Sequence, residues 1–363
     1  RHSTRRQFLS GEAAVDALGD LTHGDAGQQS ALPPPGPSQQ AGETYLLQFA
    51  RTAMACEFQV FLTADHPRQG PEAAMAALDL VDQLEDQMTV YREHSEICQI
   101  NREAARWPVE VERQLFELLQ RSIWLHTETE GAFDITAGPL SRLWGFTRRE
   151  GRVPSDEEIA GALANVGSQY VELSAEDTKI AFRQKGIELN LGGIGKGYAL
   201  DRAATRMQAA GVENFLLHGG RSSVLARGAK IAAAPQANPW TIGIGHPLRS
   251  DRRLGLLQLR DQAMSTSGTA TQSFHHQGKR YGHILDPRTG RPAEGVLSVT
   301  VLCPDAALAD ALSTAFYVLG MEKTEAFCQR HPEAAALVVL PTKSAQQVEV
   351  VAINMPEEAW ETL

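Results

Sequence analysis

The period of the apolar residues changes repeatedly along this chain, and the order of those changes most limits the fold. In "TYLLQFARTAMACEFQVFL" (44–62), Phe58, Val60 and Leu62 alternate in period two, which predicts two strands around a break. "PEAAMAALDLVDQLEDQMTVY" (71–91) carries Leu78, Val81, Leu84, Met88 and Tyr91 at three- and four-residue spacing, an amphipathic helix. A second helix is predicted over 112–129. "LNLGGIGKGYALDRAATRMQAAG" (189–211) reads as a strand, a glycine turn and a helix stopped by Gly211. "VENFLLHGG" is a buried strand, "LSVTVLCP" another, and "DAALADALSTAFYVLG" the helix that follows. "AALVVLP" and "QQVEVVAIN" are two closing strands. No regular strand–helix–strand rhythm emerges, so the fold class is α+β, with mixed or antiparallel sheets and packed helices.

Of the 363 residues, 42% are hydrophobic and 21% charged, the balance of a globular chain that can bury a large core. The formal net charge of −10 argues against a general nucleic-acid surface, which needs clustered Lys and Arg. No apolar run is long enough to span a bilayer. Cys56, Cys98, Cys303 and Cys328 lie far apart with no C-x-x-C pair; this disfavours a zinc knuckle or redox dithiol and favours buried free thiols. At the N-terminus, "STRRQFL" (3–9) looks like a twin-arginine export signal, yet Glu12, Asp16 and Asp20 interrupt the apolar stretch expected next. Two readings stay open: a degenerate export signal, or a short amphipathic helix begun by Arg5 and Arg6 in a cytoplasmic protein. Residues 22–43 are rich in Pro, Gly, Gln and Ser and read as a linker, so the folded part is expected to begin near Thr44.

Several segments carry chemistry-bearing residues. "GGIGKG" (192–197) matches neither phosphate-loop pattern, because Tyr198 follows where Ser or Thr belongs. Its glycines still let backbone approach a ligand, and its amides open a helix N-terminus with Lys196 beside them; alone, it reads as a tight turn with a solvent lysine. In "ADALSTA" (309–315), Asp310 and Thr314 stand four apart on one helix face. Their oxygens suit a hard cation such as Mg²⁺, although a lone D-x-x-x-T is most often a solvated helix edge. "GAFDITAGPLSRLWGF" (131–146) sets Phe133 and Asp134 ahead of Trp144 and Phe146, a grouping that suits a planar heterocycle or, equally, a core edge. Tyr91 has the same ambiguity. "STSGT" (265–269) supplies hydroxyls. Ser267 with His283 raises a serine hydrolase, but no G-x-S-x-G elbow is present. "HILDPRTG" (283–290) puts His283 and Asp286 at a strand end, "KRYGHIL", before a turn set by Pro287 and Gly290.

In this combination and order, "MTVYREHSEICQIN", "GAFDITAGPLSRLWGF", "LNLGGIGKGYALDRAA", "STSGT…GKRYGHILDPRTGRPA" and "LSVTVLCPDAALADALSTAFYVLG" resemble the FAD:protein FMN transferase family, the ApbE-like flavin transferases. The resemblance runs from about Met54 to the chain end, so residues 44–363 are expected to be one such domain. It implies an α+β fold binding FAD in a cleft between two subdomains, with Mg²⁺. It further implies attack on the FAD pyrophosphate, release of AMP, and FMN linked to a threonine of a separate acceptor flavoprotein. By motif, the Mg²⁺ ligands are expected to be Asp310, Thr314 and the carbonyl of Gly193. FAD contacts are expected from Met54, Tyr91, Ala132, Phe133, Asp134, Asn190, Lys196 and Leu285, with His283 as the base for the acceptor hydroxyl.

The chain departs from the family pattern at four places. "MACEF" stands where Met-Gly-Thr is usual, Asn190 replaces a frequent aspartate, Gly195 a common alanine, and Arg221 the aspartate of Gly-Gly-Asp. Two other readings share the same residues: an FAD pyrophosphatase, with water in place of the threonine, and a flavin-binding protein without turnover. AMP release from FAD, with and without an acceptor, separates the three. The sequence sets neither the acceptor nor the oligomeric state.

Overall fold

The structure, a computed structural model, describes residues 46–63, 66–230, 238–268, 273–344 and 347–363. The export-like segment and linker expected over 1–43, and the expected start at Thr44, lie outside the described residues, as does Thr269 of "STSGT".

Eight strands form the central sheet: β1 (Leu47–Ala53), β2 (Cys56–Leu62), β3 (Phe215–Gly219), β4 (Ser223–Arg227), β5 (Ala263–Gly268), β6 (Ser298–Cys303), β7 (Ala335–Pro341) and β8 (Val348–Ile353). They lie side by side in chain order, each antiparallel to the next. Period-two side chains explain why both faces are covered. Phe215 and Leu217 of β3, with Ala336 and Val338 of β7, face the main core. Leu216, Leu337 and Val339 face the opposite way, into a second cluster with Trp240 and Leu257. That second layer is a three-stranded antiparallel sheet of Trp240–His246, Arg249–Leu259 and Trp360–Thr362. A sheet buried on both sides reads as continuous apolar runs, which is how "FLLHGG" and "AALVVLP" look in sequence.

Seven helices are described: α1 (Gly70–Met88), α2 (Glu96–Glu103), α3 (Arg113–Glu128), α4 (Gly138–Leu143), α5 (Asp156–Leu163), α6 (Gly195–Ala209) and α7 (Ala306–Arg330). Leu78, Val81, Leu84 and Met88 form the buried stripe of α1 as predicted, but the helix ends at Met88, capped by Thr89, and Tyr91, expected on the same stripe, lies beyond it and is exposed. Helix α6 packs between α1 and α7, and α7 lies along β5 and β6. The α+β expectation therefore holds, with antiparallel sheets. The four cysteines are free thiols, Cys303 and Cys328 buried.

Three local expectations change. "LNL" is not a strand: the side chain of Asn101 accepts from the Leu189 N–H at 2.7 Å and donates to its carbonyl at 3.0 Å. A side-chain amide thus takes the place of a ladder neighbour. "KRYGHIL" is broken at His283 and Ile284, between Lys279–Gly282 and the two-residue strand Leu285–Asp286. The last helix does not stop at Gly320; that residue, at φ 76° and ψ −176°, is a kink, and helix resumes to Arg330.

Candidate active site

Strand register gathers the site at one end of the central sheet. Ala53 pairs with Cys56, Phe58 with Gly219, and Ser223 with both Gly219 and Ser265. Consequently the Met54–Ala55 turn, the 220–222 turn and the β5 segment beyond Ser265 all lie at that end. Met54 and Ala55 form a two-residue hairpin turn with φ 50° and 58°, both left-handed. Such a turn favours glycine, which accounts for the Met-Gly-Thr pattern that "MAC" departs from.

The centre of this end is Asp310, 3% exposed on α7. One carboxylate oxygen accepts from Ser265 Oγ at 2.8 Å and Ser223 Oγ at 3.1 Å. The other accepts from the Gly197 N–H at 3.1 Å, and Lys196 Nζ lies 3.5 Å from both. The helix N-terminus read as an anion site in "GGIGKG" is therefore met by the protein's own carboxylate. Close helix approach makes this possible: a Cβ on Gly197 would lie 2.0 Å from the Ala306 carbonyl oxygen, so only glycine fits. Asp201 fastens the same junction, accepting from the Ala306 and Ala307 N–H groups at 2.8 Å each. Burial, and then the Asp305 charge, push the Asp201 carboxyl up to about 6.

The three proposed metal ligands come together. Thr314 Oγ1 donates to the Asp310 carbonyl at 3.3 Å and lies 3.2 Å from Ser267 Oγ, which also meets Ser313 Oγ at 2.9 Å. A Cβ on Gly193 would fall 3.8 Å from Thr314 Oγ1 and 3.2 Å from the Phe133 ring, so the missing side chain keeps this space open. Among the described residues no group of three or more His, Cys, Asp or Glu side chains suits a metal ion. The donor set here is instead one carboxylate, a hydroxyl and a carbonyl. Those are hard oxygens, and they fit a hard divalent cation that keeps several positions for water or phosphate.

The residues proposed for FAD divide into groups. Phe133, 4% exposed, belongs to the main core yet borders Gly193. Ala132 is buried beside it. The Asp134 carboxylate is turned inward: it accepts from the Thr136 N–H and Oγ1, from the Ser168 N–H and Oγ, and pairs with His126 Nδ1 at 3.0 Å. Burial pushes this carboxyl up, but His126 and the hydroxyl donors outweigh it and hold it below the usual range. His126 is raised, since Asp134 outweighs its burial. Asn190 accepts from the Gly192 N–H at 2.9 Å, closing the glycine loop, and lines a cleft of about 760 Å³ with Val90, Asn101, Arg142 and Glu188. Tyr91, next in the chain after the cleft residue Val90, is 71% exposed and is not among the residues lining the cleft. Leu285 is buried in a satellite cluster with Leu140, Trp144 and Phe146.

His283 is half-buried, its ring edge-on to Phe146 with centroids 6.4 Å apart. Asp286 serves the turn rather than the imidazole. Its oxygens accept from Arg288 Nε at 2.8 Å and from Arg288 Nη2 at 2.9 Å, and its carbonyl accepts from the Gly290 N–H at 2.8 Å. Gly290 has φ 69° and is packed against Ile159, and Trp144 Nε1 donates to its carbonyl at 2.8 Å. The turn is a rigid support docked onto α4 and α5. The Ser267 hydroxyl is engaged by Ser313 and Thr314, so the serine-hydrolase arrangement is not formed.

Sequence reasoning missed the roles of Ser223, Ser265, Asp201 and His126. Ser265 and Ser223 lie in "STSGT" and "HGGRSS", but only the sheet register brings them to Asp310. Nothing in the spacing of His126 or Asp201 signals their partners.

The geometry has close relatives. Residues 53–338 match the ApbE family. An FAD:protein FMN transferase of Klebsiella pneumoniae (strain 342) is 34% identical over 269 residues, 73% of this chain and 81% of that protein. The crystal structure of the ApbE protein of Thermotoga maritima superposes with a TM-score of 0.75 at 33% identity, covering 85% of this chain and 97% of that one. The apo flavinyl transferase ApbE of Pseudomonas stutzeri superposes with a TM-score of 0.74 at 29% identity, covering 87% and 96%.

Proposed function

This chain belongs to the ApbE family of flavin transferases, and from that premise we propose that it transfers FMN from FAD to a threonine hydroxyl of a separate acceptor flavoprotein, with Mg²⁺, releasing AMP. The observation that carries this reading is the buried Asp310 carboxylate, assembled with Thr314, Gly193 and Lys196 at an open, oxygen-lined end of the sheet.

Asp310, Thr314 and the Gly193 carbonyl are the residues to hold Mg²⁺. Bound there, the ion supplies Lewis-acid charge neutralisation on the diphosphate. Ser223 and Ser265 fix the Asp310 carboxylate in orientation, and Lys196 contributes a second positive charge for the phosphates. Glycine-rich backbone at 192–195 leaves room for the diphosphate beside Phe133. The cleft lined by Asn190 and Val90, with Tyr91 next to Val90 in the chain, suits the flavin and nucleotide portions. The half-buried His283 takes the proton of the acceptor hydroxyl. The new bond joins the threonine oxygen to the FMN phosphorus; the bond that breaks is the one from that phosphorus to the bridging oxygen, which departs with AMP.

The test is AMP release from FAD and Mg²⁺ with and without an acceptor flavoprotein. Acceptor-dependent AMP with flavin covalently on the acceptor supports transfer. AMP with free FMN irrespective of acceptor makes the chain a pyrophosphatase, and FAD binding without AMP makes it a carrier.

A further inference from the structure

The hydrogen bonds around the Asp310 carboxylate leave it one free acceptor position. Ser223 of β4 and Ser265 of β5 are register partners, both fully buried at 0% exposure. A buried hydroxyl gives its single proton to the strongest acceptor in reach, which here is the carboxylate. Ser265 Oγ donates to Asp310 Oδ1 at 2.8 Å, and Ser223 Oγ donates to the same oxygen at 3.1 Å. The two serine oxygens lie 3.3 Å apart, and Ser222 Oγ lies 3.2 Å from that of Ser223.

A carboxylate offers about four acceptor positions, two on each oxygen. The serines take both of those on Oδ1. Oδ2 accepts from the Gly197 N–H at 3.1 Å. Lys196 Nζ, 3.5 Å from each oxygen, lies beyond the usual hydrogen-bond range and acts as a charge partner. What remains is a single position, on Oδ2. Asp310 is also the only carboxylate of the proposed donor set, since Thr314 and Gly193 contribute a hydroxyl and a carbonyl, both neutral.

That single position bears on the choice of ion. Ca²⁺ gathers about six to eight oxygens and often takes both oxygens of one carboxylate; Mg²⁺ keeps near-octahedral geometry with several waters and needs only one. We propose that Ser223 and Ser265 are positioning residues that limit Asp310 to one metal-facing oxygen and so make the site select Mg²⁺ against Ca²⁺. They act through Asp310 and need touch neither the ion nor FAD. The inference rests on the reading of Asp310 as the metal ligand. Removing both hydroxyls frees Oδ1, lets the carboxylate grip through two oxygens, and admits the larger ion.

The test is isothermal titration of the FAD-free full chain with MgCl₂ and with CaCl₂, read as the ratio of the two dissociation constants. Ser223→Ala with Ser265→Ala should shift that ratio toward Ca²⁺ by about tenfold or more relative to wild type. Ser223→Ala alone, which removes the longer of the two bonds, should give a smaller shift in the same direction, and it serves as the test if the double variant does not fold. Ser222→Ala removes a hydroxyl that meets Ser223 rather than Asp310, and should keep the wild-type ratio. An unchanged ratio in the Ser223 and Ser265 variants, or an equal shift in Ser222→Ala, overturns the proposal and leaves the metal site standing. A wild-type chain that binds neither ion overturns the proposal together with the metal reading.

Discussion

Lys196 Nζ lies 3.5 Å from each carboxylate oxygen of Asp310, a symmetric approach by the only cation in direct contact with that buried acid among the described residues. On the proposed reading Mg²⁺ binds this same carboxylate, so in the absence of FAD the ammonium and the ion would compete for it. Lys196→Met should therefore increase the rise in melting temperature produced by saturating Mg²⁺ in the absence of FAD, because ligand binding to the folded state stabilises it by mass action. A Mg²⁺ shift smaller than that of wild type would mean that Lys196 helps to hold the ion rather than standing in for it.

Tyr91 and Phe133 were both expected at the flavin, and their burial separates what each substitution does. Tyr91 is 71% exposed, so Tyr91→Ala should weaken FAD binding with no loss of apo-protein stability. Phe133 is 4% exposed in the main core, and Phe133→Ala should cost about 3–5 kcal/mol of stability as well. FAD titration beside thermal melts of both variants measures this. Unchanged FAD affinity in Tyr91→Ala would remove that residue from the site.

Asp201 gives the helix junction a pH dependence. Its folded-state carboxyl titrates near 6, above the ordinary 3.8 of an unfolded aspartate. The folded state thus binds the proton more tightly, and the favourable contribution is complete below about 3.8 and lost as pH rises through about 6. Over that window the loss is on the order of 3 kcal/mol. The stability of wild type relative to Asp201→Asn should fall between pH 4 and pH 7 in denaturant titrations. A difference that stays flat with pH would show that the two amide donors keep Asp201 ionised throughout.

Much of this was legible in the sequence wherever the determinants are local. The Asp310–Thr314 spacing is one helical turn, and the alternation in β2 or the stripe in α1 needs only neighbouring residues to be read. Partners far apart in the chain were not legible. Ser223 and Ser265 reach Asp310 across separations of 87 and 45 residues, which only the antiparallel register of β4 and β5 sets. "LNL" has a strand's alternation, but Asn101, 88 residues from Leu189, takes the Leu189 N–H and carbonyl, and the Asn190 N–H goes to the Ile135 carbonyl, so no ladder forms. The last helix continues past Gly320 because that residue bends the axis instead of ending it, and Phe316 packs on Phe327 across the kink, a contact far enough along the chain that the glycine alone does not announce it. Asp134 looked flavin-facing beside Phe133; its commitment to His126 and Ser168 depends on a fold in which 126, 134 and 168 converge.

The central claim is that His283 delivers the acceptor hydroxyl to a diphosphate held at Asp310. It is tested most directly by single-turnover FMN transfer to an acceptor flavoprotein, wild type against His283→Ala, with FAD and Mg²⁺ saturating. The account predicts that FAD binding is retained while the transfer rate falls by roughly a hundred- to ten-thousand-fold, the usual contribution of a general base. A rate within a few-fold of wild type would contradict it, leaving "HILDPRTG" as scaffold alone.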